Sequence, residues 1–376
     1  MMASVPTAQT IAGLAARMRF STIASALLVG TCAVVASAQD VPQTADAASA
    51  LARGEAWLAD QQHEDGSWWC RLGKKIRDSR LPGPMGMSGG LDSYSRTDDI
   101  PHVGVTSLAG LALLRAGGRE GAAEKAAAFL AKLSSESPIA YITAHGTRMI
   151  EHALAVRFLA ELQAKHPQQA VEDAVWRGAG LIVRSQSQEG GWIDQPIARD
   201  ADMRFTAPPF EALLAARAAG VEVPEATLDA ACEFALRCRT EPRDGSFSER
   251  DLPAEETRFT FPCTAAGVFV LLAGRGGPGQ AQEQADDQRF DAAAERGVRY
   301  LLVNRRQLDP GSYRYLFGHY YAVQALKLGA QADREAYGPE LQREILALQK
   351  PDGSWEDDVG PTYATAVACL ILQLLR

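Results

Sequence analysis

Gln186-Ser187-Gln188-Glu189-Gly190-Gly191-Trp192 decides the fold of this chain, because its register of glutamine, glycine and tryptophan recurs. The same register occurs at Gln62…Gly66-Ser67-Trp68 and at Gln349…Gly353-Ser354-Trp355, with a weaker copy over 241–247. The aromatic residues at 192, 247 and 355 are 55 and 108 positions apart, close to one and two units of about 54 residues. A fixed period of this length predicts a repeat architecture.

Two kinds of helical segment alternate between these markers. Six are apolar on nearly every face, which predicts helices buried on all sides: 103–117, 147–164, 205–220, 261–274, 315–329 and 363–375. Six others carry one charged face: 46–61, 120–133, 171–185, 225–239, 291–305 and 339–349. Two concentric rings satisfy both burial patterns, so we expect an all-α protein, an (α/α)6 toroid with six inner and six outer helices. Its terminal units must meet, which predicts one domain over 39–376.

The markers fall where an outer helix ends and the chain turns inward. We expect the glutamine to bind free carbonyls at the helix end, the glycine to take a positive φ, and the tryptophan to pack over the neighbouring turn. Two stretches interrupt the alternation of apolar and amphipathic helical segments. We interpret 70–101 as an insertion loop and 274–287 as a flexible connector.

The first 38 residues have the pattern of a signal peptide. Arg17 and Arg19 precede an apolar run over 23–35, and Ala36-Ser37-Ala38 has the small residues of a cleavage site. We expect a periplasmic or secreted protein, cleaved near Ala38, with no stable membrane span in the mature chain. The alternative is an N-terminal anchor that is retained.

Charge and cysteine usage limit the partners. The chain has 38 Lys and Arg against 46 Asp and Glu, a net charge of −8, which argues against nucleic acid or an anionic membrane as the main partner. The cysteines lack the paired spacing of a disulfide framework, so we expect buried free thiols.

The Gln-x3-Gly-x-Trp markers, each followed by an apolar inner helix, resemble the prenyltransferase and squalene oxidase repeats. Squalene–hopene cyclases, oxidosqualene cyclases and the β subunits of protein prenyltransferases share these repeats. The resemblance covers about residues 45–376, and the stretches 185–192, 318–325 and 363–366 are similar to exported bacterial proteins with a single toroid. It implies an α/α toroid and a link to isoprenoid ligands.

Asp200-Ala201-Asp202-Met203 is the sharpest catalytic candidate that the resemblance implies. Cyclases that begin by protonation carry Asp-x-Asp-Asp at this place, and Asp202 would be the acid, assisted by Asp200. Such an acid must stay protonated in a dry site. Here Met203 replaces the last carboxylate and Arg204 follows, which favours an ionised Asp202. The competing interpretation is that either aspartate caps the inner helix.

A zinc site is the second candidate that the resemblance implies. Protein prenyltransferase β subunits hold zinc through an Asp-x-Cys pair and a later histidine, and Cys263 and His319 match two of these positions. Phe261 replaces the aspartate, and two protein ligands do not make a zinc site that activates a thiolate. We therefore expect no cofactor, with zinc as the less favoured alternative and a buried, hydrogen-bonded histidine as the simpler one.

The third candidate is the mouth at the starts of the inner helices, where helix N-termini favour an anion or a polar head group. The ligand-binding residues predicted there are His145, Arg204, His319, Tyr320, Tyr321 and Tyr363. Other polar side chains expected near it are His102, Arg148, His152 and Arg258. A closed core without a cavity is the alternative.

Two functions follow from these patterns. The first is a protein that binds a hydrophobic, isoprenoid-like small molecule, or a protein segment, in the mouth of the toroid without turning it over. The second is a terpene cyclase or prenyltransferase type of enzyme, with Asp202 as acid or Cys263 and His319 at a metal. The carboxylates missing at Met203 and Phe261 favour the first.

Overall fold

The computed structural model describes residues 46–71, 99–144, 148–239, 244–274 and 287–376. Six helices of this part form an inner ring: α2 (Val103–Ala116), α4 (Met149–Lys165), α6 (Met203–Ala218), α8 (Phe261–Gly274), α10 (Tyr313–Leu328) and α12 (Pro361–Leu374). Six form an outer ring: α1 (Ala47–Asp60), α3 (Glu120–Glu136), α5 (Gln169–Arg184), α7 (Glu225–Arg237), α9 (Asp287–Asn304) and α11 (Gln331–Ala347).

The inner ring is closed. Each inner helix packs against the inner helices before and after it, and α12 packs against both α10 and α2. The outer helix α1 contacts α11 and α12, so the first and last repeats of the ring meet. Because an outer helix returns the chain between successive inner helices, all six inner helices run in the same direction. The predicted (α/α)6 toroid is confirmed.

The helix boundaries agree with the sequence to within a few residues, with one exception. The outer helix predicted to begin at Pro339 begins at Gln331, and Pro339 lies inside it. The eight extra residues include good helix formers, and Tyr337 among them is buried against the inner ring. Burial of that turn outweighs the preference of proline for a first helical position.

A short strand pair joins the two ends of the predicted insertion loop. The strands β1 (Trp69–Arg71) and β2 (Asp99–Pro101) pair antiparallel, with Cys70 opposite Ile100. The sequence shows no alternating pattern here because three residues are too few to display one. The rest of the loop, most of the connector over 274–287 and the predicted signal peptide lie outside the described residues.

The marker glutamines connect neighbouring outer helices, which is not the role we expected. Gln186 donates to the carbonyl of Gly190 at 2.6 Å and to that of Thr227 in α7 at 2.7 Å. Gln62 bonds in the same way to α3, and Gln349 bonds to Ala50 in α1. The last of these bonds closes the outer ring.

The tryptophans bind the carbonyls at the helix ends. Trp192 is fully buried, and its Nε1 donates to the carbonyl of Ile182 in α5 at 2.8 Å. Its backbone N–H donates to the hydroxyl of Thr206 in the following inner helix. Trp68 and Trp355 make the equivalent pairs of bonds. Each marker thus holds an outer helix, its turn and an inner helix together.

The glycine of each marker is required for two reasons. Gly190 has φ +96°, a conformation that side chains other than glycine rarely adopt. A Cβ added there would also lie 2.1 Å from the carbonyl oxygen of Ala230 in α7. The sequence predicted the positive φ, but the close approach of the next outer helix becomes visible only in the folded ring.

Two further features agree with the sequence. Cys238, Cys263 and Cys369 are buried free thiols, and Cys70 and Cys232 are buried as well. Among the described residues, none of the helices has the length and apolar character needed to cross a membrane.

Candidate functional site

Asp202 lies at the N-terminal end of the inner helix α6, where it caps the helix. Its side chain is fully buried, and Oδ1 accepts a hydrogen bond from the backbone N–H of Arg204 at 2.9 Å. The Arg204 guanidinium also binds both carboxylate oxygens, at 3.0 and 2.6 Å. Arg250 approaches Oδ2 to 3.5 Å. Two guanidinium groups thus surround this carboxylate, and hydrogen bonds within the protein already engage both of its oxygens.

The neighbouring acid is placed differently. The Asp200 side chain is about half exposed, at 48%, and pairs with Arg199 at 3.4 Å. Two acids that share a proton must lie in one site, whereas Asp202 is buried and Asp200 faces water. The catalytic roles of both aspartates stay predictions, and the geometry fits the capping interpretation of Asp202 better.

The two candidate zinc ligands have different surroundings. Burial, with the nearby Asp202 and Glu249 acting in the same direction, raises the pKa of the Cys263 thiol in the first turn of α8 to about 12. A buried, uncharged thiol is the ordinary state of a structural cysteine. His319 faces Tyr337 on the outer helix α11. Within the described residues, no group of three or more His, Cys, Asp or Glu side chains could hold a metal ion.

His319 is enclosed by aromatic rings in the second turn of α10. Its ring centroid lies 4.4 Å from that of Tyr315 and 5.3 Å from that of Phe261, and Nδ1 lies 2.6 Å from the Tyr337 hydroxyl. Burial, together with the nearby Arg305, lowers the pKa of His319 to about 3. The ring is therefore neutral at physiological pH. Nε2 is buried and has no hydrogen-bond partner among the described residues.

Tyr320 and Tyr321 lie in the middle of α10 and not at its start, so they differ from the mouth position we expected. Arg157 of α4 donates a hydrogen bond to the Tyr320 hydroxyl and forms an ion pair with Glu211 of α6 at 2.7 Å. Tyr321 donates to the same glutamate at 3.3 Å. Both tyrosines are thus held in a buried polar network, which we call the axial network.

The axial network crosses the centre of the barrel. The helices α4 and α10 are opposite each other in the inner ring, and Arg157 also lies 3.4 Å from Gln324 of α10. On its other side the same guanidinium bonds to Glu161, which pairs with Arg115 of α2 at 2.7 Å. These side chains fill the barrel axis at mid-height, so any ligand in the mouth would lie on the N-terminal side of them.

Asp357 is the acid that sequence reasoning missed. It precedes α12 and is 9% exposed; Oδ1 accepts hydrogen bonds from the backbone N–H groups of Val359 and Gly360 at 2.9 and 3.1 Å. Its Oδ2 is buried without a partner in the described part of the chain. Burial, aided by the nearby Asp358 and Glu356 and opposed by the two backbone hydrogen bonds, raises the pKa of Asp357 to about 6. The signal in the sequence was an acidic run directly after the last marker.

The remaining predicted mouth residues are dispersed. His145 lies outside the described residues, and Tyr363 is half-buried in the first turn of α12. His152 is buried within α4, where its two ring nitrogens lie near the backbone N–H of Ile142 and the carbonyl of Gly178. His102 caps α2 through a hydrogen bond from Val105. The last two histidines therefore have structural partners.

Comparison with known proteins places the chain by fold. No family model and no curated protein matches it. An inactive variant of the α-1,6-mannanase GH76A from Salegentibacter sp. HEL1_6, in complex with α-1,6-mannotriose, is similar with a TM-score of 0.62. That match has 8% sequence identity and covers 88% of this chain and 98% of the mannanase.

A second similar structure is a variant of the type II terpene cyclase MstE from Scytonema, in complex with its substrate geranylgeranyl dihydroxybenzoate. It has a TM-score of 0.51 and 14% identity, and the match covers 88% of this chain and 96% of the cyclase. At these identities the likeness shows the fold alone. The chain therefore shares the α/α toroid with a glycosidase and with a terpene cyclase.

Proposed function

We propose that this protein binds a mainly apolar ligand with a neutral polar head at the N-terminal mouth of the inner barrel, without turning it over. The observation that carries the proposal is the buried, unpartnered Nε2 of His319 inside an aromatic enclosure. A buried polar atom without a partner is costly, and a ligand oxygen would satisfy it.

Asp357 supports the same proposal from the neighbouring inner helix. His319 lies in the first half of α10 and Asp357 in the segment that precedes α12, and each carries one buried polar atom without a partner among the described residues. His319 is neutral, whereas Asp357, with a pKa of about 6, is mostly a carboxylate at pH 7 and would repel a diphosphate. Arg204 is already paired with Asp202 and Glu249. These groups favour a hydroxyl or carbonyl head over a charged diphosphate.

The apolar part of the ligand is argued from the aromatic residues around His319. Phe261, Tyr315 and Tyr337 are nearly fully buried and form one continuous aromatic surface with it. The terpene cyclase of similar fold is described with a geranylgeranyl substrate, which is consistent with an isoprenoid chain in this protein. Binding without turnover is supported by the arginine contacts of Asp202, which engage both of its carboxylate oxygens.

The test is native mass spectrometry with three probes that differ only at the head: geranylgeraniol, geranylgeranyl diphosphate and the corresponding hydrocarbon. We expect the alcohol to bind best, and His319→Leu to weaken it by about tenfold or more. The matched control is His152→Gln, a buried histidine whose ring nitrogens both lie near backbone partners. Circular dichroism checks that both variants fold.

Five results would contradict the proposal. Equal binding of the alcohol and the hydrocarbon would remove the role of the head group. Preferred binding of the diphosphate would indicate an anion site. Conversion of the probe that is abolished in the Asp202→Asn variant would establish the enzyme alternative. Stoichiometric zinc that is lost in the His319→Leu variant would establish the metal alternative. A copurifying peptide in place of a lipid would indicate a protein partner.

A further inference from the structure

A groove on the outer ring lies between α3 and α5, away from the inner mouth. Its volume is about 580 Å³, within the range of small-molecule sites. The apolar side chains that line it are small: Ala128, Ala131, Ala170, Val171 and Ala174. Polar side chains of both helices and the indole of Trp176 on α5 also line it, so the groove offers both apolar surface and polar groups.

Trp176 is the most unusual residue of the groove. It is 60% exposed, whereas the marker tryptophans Trp68, Trp192 and Trp355 are almost fully buried. An indole left in water beside a concave surface is typical of a binding site, because the ring offers a large, rigid apolar face at low entropic cost. A ligand with a flat apolar face would stack on it.

Ser134 provides a second, independent indication of a ligand. This residue lines the groove and is 1% exposed, yet its Oγ has no hydrogen-bond partner among the described residues. The neighbouring Ser135 hydroxyl, by contrast, donates to the carbonyl of Lys132 at 2.8 Å. A buried hydroxyl without a partner carries a free-energy cost that a ligand hydroxyl would remove.

The charges around the groove are mixed. Lys132 and Asp173 are of opposite sign, and Arg177 is held in place by a hydrogen bond to the carbonyl of Ser137 at 2.9 Å. Since the whole chain carries a net charge of −8, a polyanion such as a nucleic acid is disfavoured. The groove therefore suits an uncharged ligand with hydrogen-bonding groups on its edges.

We propose that this groove binds a neutral saccharide, with one pyranose ring stacked on Trp176 and a sugar hydroxyl hydrogen-bonded to Ser134. A pyranose has one face of C–H groups and hydroxyl groups around its ring. The indole and the alanine side chains match the C–H face, and the polar side chains of the groove match the hydroxyl groups. This saccharide site is separate from the inner mouth, and the proposal can be tested independently of the isoprenoid proposal.

The experiment is a titration of the whole protein with four defined probes: α-1,6-mannotriose, maltotriose, cellotriose and chitotriose. Saturation-transfer NMR measures binding, and we expect at least one probe to bind with a dissociation constant below about 10 mM. Trp176→Ala should weaken that probe by about tenfold or more. The matched control is Val303→Ala, an 81% exposed apolar residue on α9, which should leave the affinity unchanged.

The serine is tested by its own matched pair. Ser134→Ala should weaken the probe several-fold, whereas Ser185→Ala, which also removes a buried hydroxyl without a partner, should not. His319→Leu should leave saccharide binding intact, which separates this site from the inner mouth. The proposal is overturned if none of the four saccharides binds, if Trp176→Ala binds them as well as the unaltered protein does, or if adenosine monophosphate binds more tightly.

Discussion

At the residue scale, a single carboxyl group gives folding a distinctive pH dependence. Burial raises the pKa of Asp357 to about 6 from an ordinary value of 3.8, so the folded state binds more protons than the unfolded state between these values. The stability contributed by this residue is therefore highest below about pH 4 and falls as the pH rises through 6. The upper limit of the loss is about 3 kcal/mol.

Urea unfolding of the wild type and of Asp357→Asn at several pH values measures this effect. The difference in unfolding free energy between the two should change with pH only in that window. Asp352 is the control, because a hydrogen bond from Ser354 lowers its pKa and its contribution is lost as the pH falls. A wild-type curve that matches Asp357→Asn from pH 4 to 7 would refute the raised pKa.

Two glycines allow the free-energy cost of backbone strain to be measured separately from that of close packing. Gly190 and Gly220 have nearly the same φ, +96° and +93°, but a Cβ would meet a carbonyl only at Gly190. We expect Gly220→Ala to destabilise the fold by about 1–2 kcal/mol. Gly190→Ala should cost more than about 3 kcal/mol, because it adds displacement of α7. Equal midpoints in urea for the two variants would show that packing contributes nothing.

At the element scale, removing one charge of the axial network should lower the stability of the protein strongly, whereas replacing the ion pair by apolar side chains should lower it much less. Glu211→Gln leaves Arg157 buried beside an uncharged partner, and loss of one member of a buried ion pair costs about 3–5 kcal/mol. The double variant Arg157→Met with Glu211→Leu should recover most of that loss. The exposed pair Arg217–Glu225 is the control, and Arg217→Met should change stability by less than about 1 kcal/mol.

Urea unfolding followed by circular dichroism distinguishes the possibilities. A double variant that is less stable than Glu211→Gln would mean that the ion pair is itself a net source of stability. A control variant as destabilised as Glu211→Gln would mean that burial of the charges does not matter.

The sequence predicted the rings well because their determinants are local. The marker spacing, the all-apolar segments and the turn glycines each act within a few residues of one another. The axial network could not be predicted, because Arg157 and Glu211 lie in helical segments that are otherwise apolar, and their contacts depend on how the neighbouring helices α4 and α6 and the opposite helix α10 are rotated. His319, Tyr320 and Tyr321 illustrate the difficulty: consecutive helical positions point about 100° apart, so only a known rotation assigns their surroundings.

At the scale of the whole molecule, closure predicts that the toroid folds as one unit. A chain ending at residue 360 lacks α12, which packs between α10 and α2. In an open solenoid the distant repeats would remain folded, since each contacts only its neighbours. In this truncated chain we expect the protection of backbone amides from hydrogen exchange to fall in α4 and α6 as well as in α2 and α10. Protection that persists in α4 and α6 would show that the ring is dispensable.

Closure also bears on when the chain can fold as it is made. Glu55 on α1 and Gln373 on α12 are hydrogen-bonded across 318 positions, and Gln349 joins α1 across almost the same separation. A ribosome therefore releases the first repeats long before their final partners exist, and pairings this distant form slowly. During translation the apolar inner helices therefore lack their last partner until α12 has been made. Closure of the ring is thus a late event in the synthesis of this protein.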